Sequence, residues 1–343
     1  IFEIGLTPNR SDAMSHIGVA RDLAAVLNHN NIKCQLNFAD TSAFKEGVEA
    51  PLSIEIKDEK SCPRYAGISI KNIKVEDSPT WLQKRLQSIG LTPINNVVDI
   101  TNYVLHETGQ PLHAFDAQKI EGNTIIVQKL QDKTKFTSLD DVERELSSED
   151  LMICDGKNQP MCIAGVFGGK NSGVDKNTTE VFLESAYFNP ICIRKTSKRH
   201  SLSTDASFRF ERSVDPNLVI YALKRASLLI KDICKGSISS YISDLYPNKI
   251  KDTNIELNFN KVDKLIGEKI DKSTIKSILK SLDIKIIKEG KIKLHLSVPP
   301  YRVDVTRQED VVEEILRIYG YNNIHIPTQL KSSIVYSDKF DED

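Results

Sequence analysis

A polar stretch over residues 97–116 is the densest candidate for chemistry in the sequence. Thr101 and Asn102 lie off the apolar stripe of a predicted helix, and His113 follows after a turn at Gly109. A hydroxyl, an amide and an imidazole can together orient a water molecule and hydrogen-bond an ester or a ribose. The same groups can instead cap or bridge neighbouring backbone, and their spacing alone does not decide between the two roles.

A carboxylate inside an apolar segment is the second candidate: Glu184 in the string VFLESAYF. Burying an unpaired charge is costly, so this group needs a cation, a water or a polar ligand as its partner. A glycine-rich loop precedes it, in which Gly165 and Gly168 would let the backbone approach a ligand closely. A tight turn between two strands is the more common reason for such glycines.

Basic residues form a third group on one face of a helix predicted to begin at Asn189–Pro190. The residues of this face are Arg194, Lys195, Lys198 and Arg199. Such a stripe can hold a phosphate backbone, or it can be a solvated helix face.

Acidic residues near the carboxyl end form the fourth group: Asp304, Asp310, Glu313 and Glu314. Like charges at helical spacing oppose one another unless a cation lies between them, and either Arg317 or Mg²⁺ could supply that charge. Asp310 also lies in the first turn of a predicted helix, where the helix dipole favours it without any metal.

Composition limits the classes of protein to which these groups can belong. The chain has 343 residues, which suggests two or three domains, with 46 basic and 47 acidic residues and a net charge of −1. Nucleic-acid binding by bulk positive charge is therefore excluded, and any RNA contact must use a local patch. The six cysteines contain no CxxC pair, and no run is long enough to span a membrane. The opening at Ile1 suggests a piece of a longer cytoplasmic protein.

Periodicity predicts the elements that carry the candidate groups. The predicted helices run from a cap at Asp12 or Ser15 through Asn28, from Ser78–Pro79 to Gly90, over 96–106, from Pro190 toward His200, and from Asp215–Pro216 to Gly236. A strand at 255–259, helices at 260–266 and 273–282, a hairpin of 284–288 with 292–298, and a helix at 309–319 predict a winged-helix-like unit. Its acidic last helix argues against DNA binding.

The sequence resembles the β-subunit family of bacterial phenylalanyl-tRNA synthetases from about Leu6 to Ile326. The resemblance is carried by TPNRSDAMSHIGVARDLAAVL, NNVVDITNYVLHETGQPLHAFD, IAGVFGGKNSGV, FLESAYFNP, STDASFRFERSVDP and VPPYRVDVTRQEDVVEEILRIYGY. It implies a multi-domain α+β fold. The implied parts are a remnant of an amino-terminal domain and linker (1–42), a mixed α/β tRNA-editing domain (43–248), a winged-helix-like domain (252–326) and the start of a following domain (327–343).

The resemblance also implies an editing site that hydrolyses misacylated Tyr-tRNA(Phe). Carried over by motif, the residues that act on the ester are Thr101, Asn102 and His113, and those that line the pocket are Pro111, Gly165, Gly168, Glu184, Thr204 and Ala206. Glu184, with a backbone N–H near Gly165, would hydrogen-bond the tyrosine phenol, and phenylalanine would leave the carboxylate unpaired. We expect attack by water without a covalent intermediate. His113 as general base and assistance by a substrate hydroxyl are both compatible with this pattern.

Cofactors and partners follow from the same resemblance. The acidic group Asp304, Asp310, Glu313 and Glu314 would bind Mg²⁺ at a site shared with the α subunit, where the whole enzyme uses ATP. The implied partners are that α subunit, in a tetramer of two α and two β subunits, and tRNA(Phe); no membrane or DNA partner is expected. The alternative is a non-catalytic scaffold that docks the α subunit and tRNA.

Overall fold

The structure, a computed structural model, describes residues 2–325, so the predicted following domain (327–343) and residue 326 lie outside the described residues. The helices are α1 (His16–His29), α2 (Thr80–Gln87), α3 (Asn96–Thr108), α4 (Pro190–His200), α5 (Asp205–Phe210), α6 (Val219–Ile233), α7 (Phe259–Ile266), α8 (Lys272–Ser281) and α9 (Gln308–Tyr319). Over the described residues, every helix is too short or too polar to cross a membrane.

The strands have two to eight residues each. They are β1 (Ser53–Ile56), β2 (Arg64–Lys71), β3 (Leu112–Asp116), β4 (Thr124–Lys129), β5 (Lys135–Thr137), β6 (Glu143–Glu145), β7 (Leu151–Cys154), β8 (Pro160–Ile163), β9 (Phe167–Gly168), β10 (Glu180–Tyr187), β11 (Ser237–Ile238), β12 (Ser243–Leu245), β13 (Thr253–Asn258), β14 (Lys285–Glu289) and β15 (Lys293–Val298). The predicted α+β class is confirmed.

Two large sheets build the main part of the chain. The first has the order β1-β4-β7-β8-β9, with β1 parallel to β4 and the other neighbours antiparallel. The second has the antiparallel order β11-β2-β10-β3, and β12 also pairs with β2. β5 and β6 form a separate hairpin.

Side chains of the second sheet divide between two cores. Phe182 of β10 packs in a core shared with Ile153 of the first sheet, whereas Leu183 packs with Val97 on the side covered by helices. Because neighbouring residues of a strand point to opposite faces, Glu184 shares the face of Phe182. The carboxyl therefore points into the core between the two sheets.

Capping residues set the ends of the helices around this core. The Asn189 side chain accepts from the first N–H groups of α4, and Pro190 opens that helix, so α4 has the predicted bounds. Gly109, at φ +84°, ends α3 beyond Thr108. The start predicted for α6 at Asp215 is wrong, because the Asp215 side chain and carbonyl hold a turn and the helix begins at Val219.

The last part of the chain is a small sheet, β13-β15-β14, packed against α7, α8 and α9, in the predicted order of elements. Leu257, Leu296 and Ile315 lie in its core. Ala25 of α1 is buried in the same core, and Arg317 of α9 donates to Asp22 at 2.9 Å. The amino-terminal helix is thus held against the carboxyl-terminal unit by apolar packing and an ion pair.

Candidate functional site

Glu184 is buried in the sheet with a neutral partner. It lies opposite His113 of β3 and Gly67 of β2, and 5% of its surface is exposed. The hydroxyl of Tyr65 donates to its Oε2 at 2.7 Å. No Lys, Arg or His among residues 2–325 forms an ion pair with it. Within this chain, the polar partner expected for Glu184 is therefore the phenol of Tyr65.

The protonation of Glu184 follows from this environment. Burial raises the pKa of Glu184 to about 8, although the hydrogen bond from Tyr65 opposes the rise. The side chain is then mainly a neutral acid at neutral pH while no ligand is bound. The sequence led us to expect a charged carboxylate at Glu184. This expectation is wrong for the protein without a ligand, because desolvation outweighs the one hydrogen bond.

His113 carries an unused polar atom beside this acid. Its Nε2 is buried and has no hydrogen-bond partner in the described part of the chain. Its ring packs edge-on against Phe115, with 4.4 Å between ring centroids, and burial lowers the pKa of His113 to about 4. A buried nitrogen without a partner indicates a place for a water or a ligand group.

The glycine loop, Gly165–Gly168, follows β8, includes the short strand β9 and lies against His113. A Cβ built on Gly168 would come within 3.2 Å of Cε1 of His113. Gly165 has φ +66°, and a Cβ there would come within 2.8 Å of the Phe188 ring. The loop thus has glycine at one position for its backbone conformation and at the other for close approach.

Helix α5 is fastened to this loop. The Thr204 hydroxyl donates to the Val166 carbonyl at 3.0 Å and accepts from the backbone N–H of Ser207 at 3.0 Å as the cap of α5. Ala206, partly buried, packs against the core between the sheets. The predicted pocket residues Thr204 and Ala206 are therefore connected to the glycine loop.

Of the remaining residues of the predicted site, Thr101 and Pro111 make hydrogen bonds outside this group. The Thr101 hydroxyl donates to the Val98 carbonyl at 2.7 Å, within α3, and the Pro111 carbonyl accepts from the Gln110 amide at 3.0 Å. Among the described hydrogen bonds, none joins Thr101, Asn102 or Pro111 to Glu184 or His113. The structure thus brings together Glu184, His113 and the glycine loop, and the roles of the other three stay predictions.

The predicted basic face of α4 is partly neutralised by acidic neighbours. Arg199 pairs with buried Asp150 and, at 2.8 Å, with Glu149. Lys195 lies 3.8 Å from Glu149, and Arg194 donates to a backbone carbonyl at 3.1 Å. Lys198 is exposed. The predicted tRNA contact stays a prediction, and two of its four cations already have carboxylate partners.

Glu314, one of the four predicted Mg²⁺ ligands, is a structural ion-pair acceptor here. Its Oε2 accepts from Arg302 at 2.8 Å and from Arg317 at 2.8 Å, and its Oε1 accepts from Arg317 at 3.0 Å. Both oxygens are thereby engaged with guanidinium groups. A metal ion at this carboxylate would have to displace them.

The other three carboxylates do not complete a metal cage. Asp310 accepts from the backbone N–H groups of Thr306 and Arg307 at the start of α9, and Asp304 accepts from Asn9 at 2.8 Å. Glu313 is exposed. Over residues 2–325 no group of three or more His, Cys, Asp or Glu is placed to hold a metal. In this conformation the predicted ligands do not fit Mg²⁺, and the shared metal site stays a prediction.

One residue of the site, Tyr65, was not predicted from the sequence. Tyr65 lies in the strand segment RYAGISI, where an aromatic residue indicates core packing. Its partner Glu184 is 119 positions away along the chain, so no local pattern marks the contact.

Comparisons with known proteins agree on one group of relatives. The B3/4 domain family matches residues 61–235, and the tRNA synthetase B5 domain family matches residues 255–321. The chain is 53% identical to a phenylalanine–tRNA ligase beta subunit of Bacteroides thetaiotaomicron, over 100% of this chain and 42% of that protein. It is 43% identical to the beta subunit of Carboxydothermus hydrogenoformans, over 94% of this chain and 40% of that protein.

The chain thus spans about two fifths of the length of these relatives. A crystal structure of an N-terminal fragment of the phenylalanyl-tRNA synthetase beta-subunit from Pyrococcus horikoshii is 15% identical, covering 92% of this chain and 85% of that one. Its TM-score of 0.44 is too low to bear on function.

Proposed function

Because the chain belongs to the B3/4 domain family and, with it, to the phenylalanine–tRNA ligase beta subunits, we propose that it hydrolyses tyrosine wrongly esterified to tRNA(Phe). Attachment of phenylalanine at the expense of ATP, by a complex with the α subunit in the cytoplasm, is proposed for the whole protein on family membership alone. The site described above concerns the removal of the wrong amino acid.

The observation that carries this proposal is the buried acid Glu184, which has one internal hydroxyl partner and no cation partner among residues 2–325. Its other oxygen, Oε1, accepts no hydrogen bond in the same range. Tyrosine can supply an O–H to this atom and phenylalanine cannot. A hydrogen bond to a charged group is worth about 1.5–3 kcal/mol, so a bond that phenylalanine cannot make gives about 10- to 150-fold in selectivity.

The chemistry is attack of water on the ester carbonyl carbon. The bond from that carbon to the ribose oxygen breaks, tyrosine leaves as a carboxylic acid, and a proton from the water ends on the ribose oxygen. His113 is supported as the group that holds the water, because its buried Nε2 has no other partner over residues 2–325. A pKa of about 4 makes this imidazole a weak base at neutral pH. The geometry is compatible with proton removal by His113 and with a proton relay through a neighbouring ribose hydroxyl.

The experiment compares release of amino acid from Tyr-tRNA(Phe) and Phe-tRNA(Phe) by this chain. We expect release of tyrosine only, lost in Glu184→Ala and His113→Ala and retained in the control Glu55→Ala, which changes an exposed glutamate. No release by this chain, with release by the complete two-subunit enzyme, would instead support the scaffold alternative.

A further inference from the structure

Tyr65 places a phenolic hydroxyl inside an apolar core. The residue has 0% exposure, and it belongs to the core between the two sheets. Its hydroxyl makes one hydrogen bond within the described chain, to Oε2 of Glu184 at 2.7 Å. Phenylalanine would fill the same space, so packing alone does not account for the hydroxyl.

The strand register places this hydroxyl diagonally beside the acid. Tyr65 is directly opposite Ala186, and Gly67, two residues along the same strand, is directly opposite Glu184. Diagonal neighbours on one face of a sheet are within reach of an aromatic side chain. A Cβ on Gly67 would lie 2.0 Å from the Phe182 ring, so that ring covers the backbone beside the acid.

The carboxyl is thereby fixed in orientation. The terminal torsion of a glutamate is broad and has little intrinsic preference. One hydrogen bond to Oε2, from a rigid buried ring, selects one orientation and leaves Oε1 to the ligand, for which it is the acceptor once the acid has lost its proton. The same bond favours the ionised form, which accepts a hydrogen bond more strongly.

We propose that Tyr65 is the positioning residue that makes Glu184 selective for a phenol, an inference that rests on the proposed function. It acts through Glu184 and does not touch the ligand. Loss of its hydroxyl lets the carboxyl rotate and removes a bond that opposes the raised pKa of Glu184.

The test measures the ratio of tyrosine to phenylalanine release in Tyr65→Phe, with Tyr187→Phe as the matched control. Tyr187 belongs to the same sheet, and its hydroxyl pairs at 3.3 Å with Ser213, away from Glu184. We expect Tyr65→Phe to lower the ratio about 10-fold and to shift the pH dependence of tyrosine release to higher pH, with Tyr187→Phe near wild type. In a Glu184→Gln background, Tyr65→Phe should not change the ratio further.

An unchanged ratio in Tyr65→Phe, or an equal loss in Tyr187→Phe, overturns the positioning role while the proposed function stands. A wild-type chain and a complete enzyme that release neither amino acid contradict the proposed function itself. If Tyr65→Phe does not fold, Tyr65→3-fluorotyrosine is the second variant. Its more acidic phenol should move the pH dependence of tyrosine release to lower pH, and an unmoved profile overturns the inference.

Discussion

His113 and Glu184 are directly opposed residues on the antiparallel strands β3 and β10. Burial lowers the pKa of His113 to about 4 and raises the pKa of Glu184 to about 8. Desolvation disfavours the charged form of each, so the ordinary order of the two pKa values is reversed and both groups are mainly neutral at neutral pH. An imidazole and a carboxyl thus lie side by side at neutral pH without forming an ion pair.

The stability of the protein should fall as the pH rises because of Glu184. Its pKa is about 8 when folded and 4.5 ordinarily, so between these values the folded state holds a proton that the unfolded state releases. Raising the pH therefore favours unfolding. Glu184→Gln keeps an acceptor for Tyr65 and has no proton to lose, and we expect its free energy of unfolding to be flatter between about pH 5.5 and pH 8.5.

Urea unfolding at these two pH values measures the effect. The control is Glu55→Gln, which changes an exposed glutamate of β1 and should leave the pH dependence as in the wild type. Equal pH dependence in Glu184→Gln and the wild type would contradict the assigned burial.

His113 should make the protein sensitive to acid. Its pKa is about 4 when folded and 6.5 ordinarily, so the unfolded state binds a proton first as the pH falls through this range. Stability is then lost between the two values. We expect His113→Gln to retain more of its stability than the wild type at about pH 4.5, as measured by thermal unfolding. His325→Gln changes an exposed histidine and is the control; if it protects as well as His113→Gln does, the effect is not local.

Tyrosine release should require the absence of a side chain at position 168. A Cβ there would lie 3.2 Å from His113 and 2.8 Å from Cδ1 of half-exposed Leu139, whose side chain can move aside. Gly168→Ala should therefore displace the loop or the His113 ring at little cost in stability, and slow tyrosine release about 10-fold. Gly173→Ala meets an ordinary contact at 3.6 Å, and we expect wild-type rates. Equal rates of tyrosine release in Gly168→Ala and Gly173→Ala would show that the close approach of the Gly168 backbone to His113 does not matter for the reaction.

The ion pairs between α1 and α9 should stabilise the fold. Asp22 accepts from Arg317 at 2.9 Å and 3.1 Å, and Arg10 and Arg317 together hold the pKa of Asp22 below its usual range. We expect Asp22→Asn to lower the free energy of unfolding by about 1–2 kcal/mol, because Arg317 and Arg10 each lose one partly buried carboxylate partner and keep only the other, Glu314 or Asp12. Asp232→Asn, at an exposed position of α6, should change it by less than about 0.5 kcal/mol in the same denaturation experiment.

Local signals sufficed for much of the fold. Asn189–Pro190 marks the start of α4, and Gly109 marks the end of α3, because caps and breakers act over a few residues. The loop Gly165–Gly168 and the buried Glu184 were likewise visible as residue types in an unusual context.

Contacts between distant segments could not be predicted in this way. Asp150 neutralises Arg199 from 49 positions away, and Asp22 pairs with Arg317 across 295 positions. The sequence around Tyr65 indicates an ordinary core residue. The register of β2 with β10 shows that Tyr65 lies diagonally beside Glu184. Sequence periodicity assigns a residue to a face, and only the sheet order assigns its neighbour.

A crystal structure of this chain with bound tyrosine tests most directly whether the buried acid Glu184 recognises the tyrosine hydroxyl. We expect the tyrosine hydroxyl within hydrogen-bond distance of Oε1 of Glu184, the bond from Tyr65 to Oε2 retained, and the ligand ring beside the Gly165–Gly168 loop. Tyrosine bound elsewhere, or bound beside this loop with its hydroxyl away from Glu184, would contradict the account.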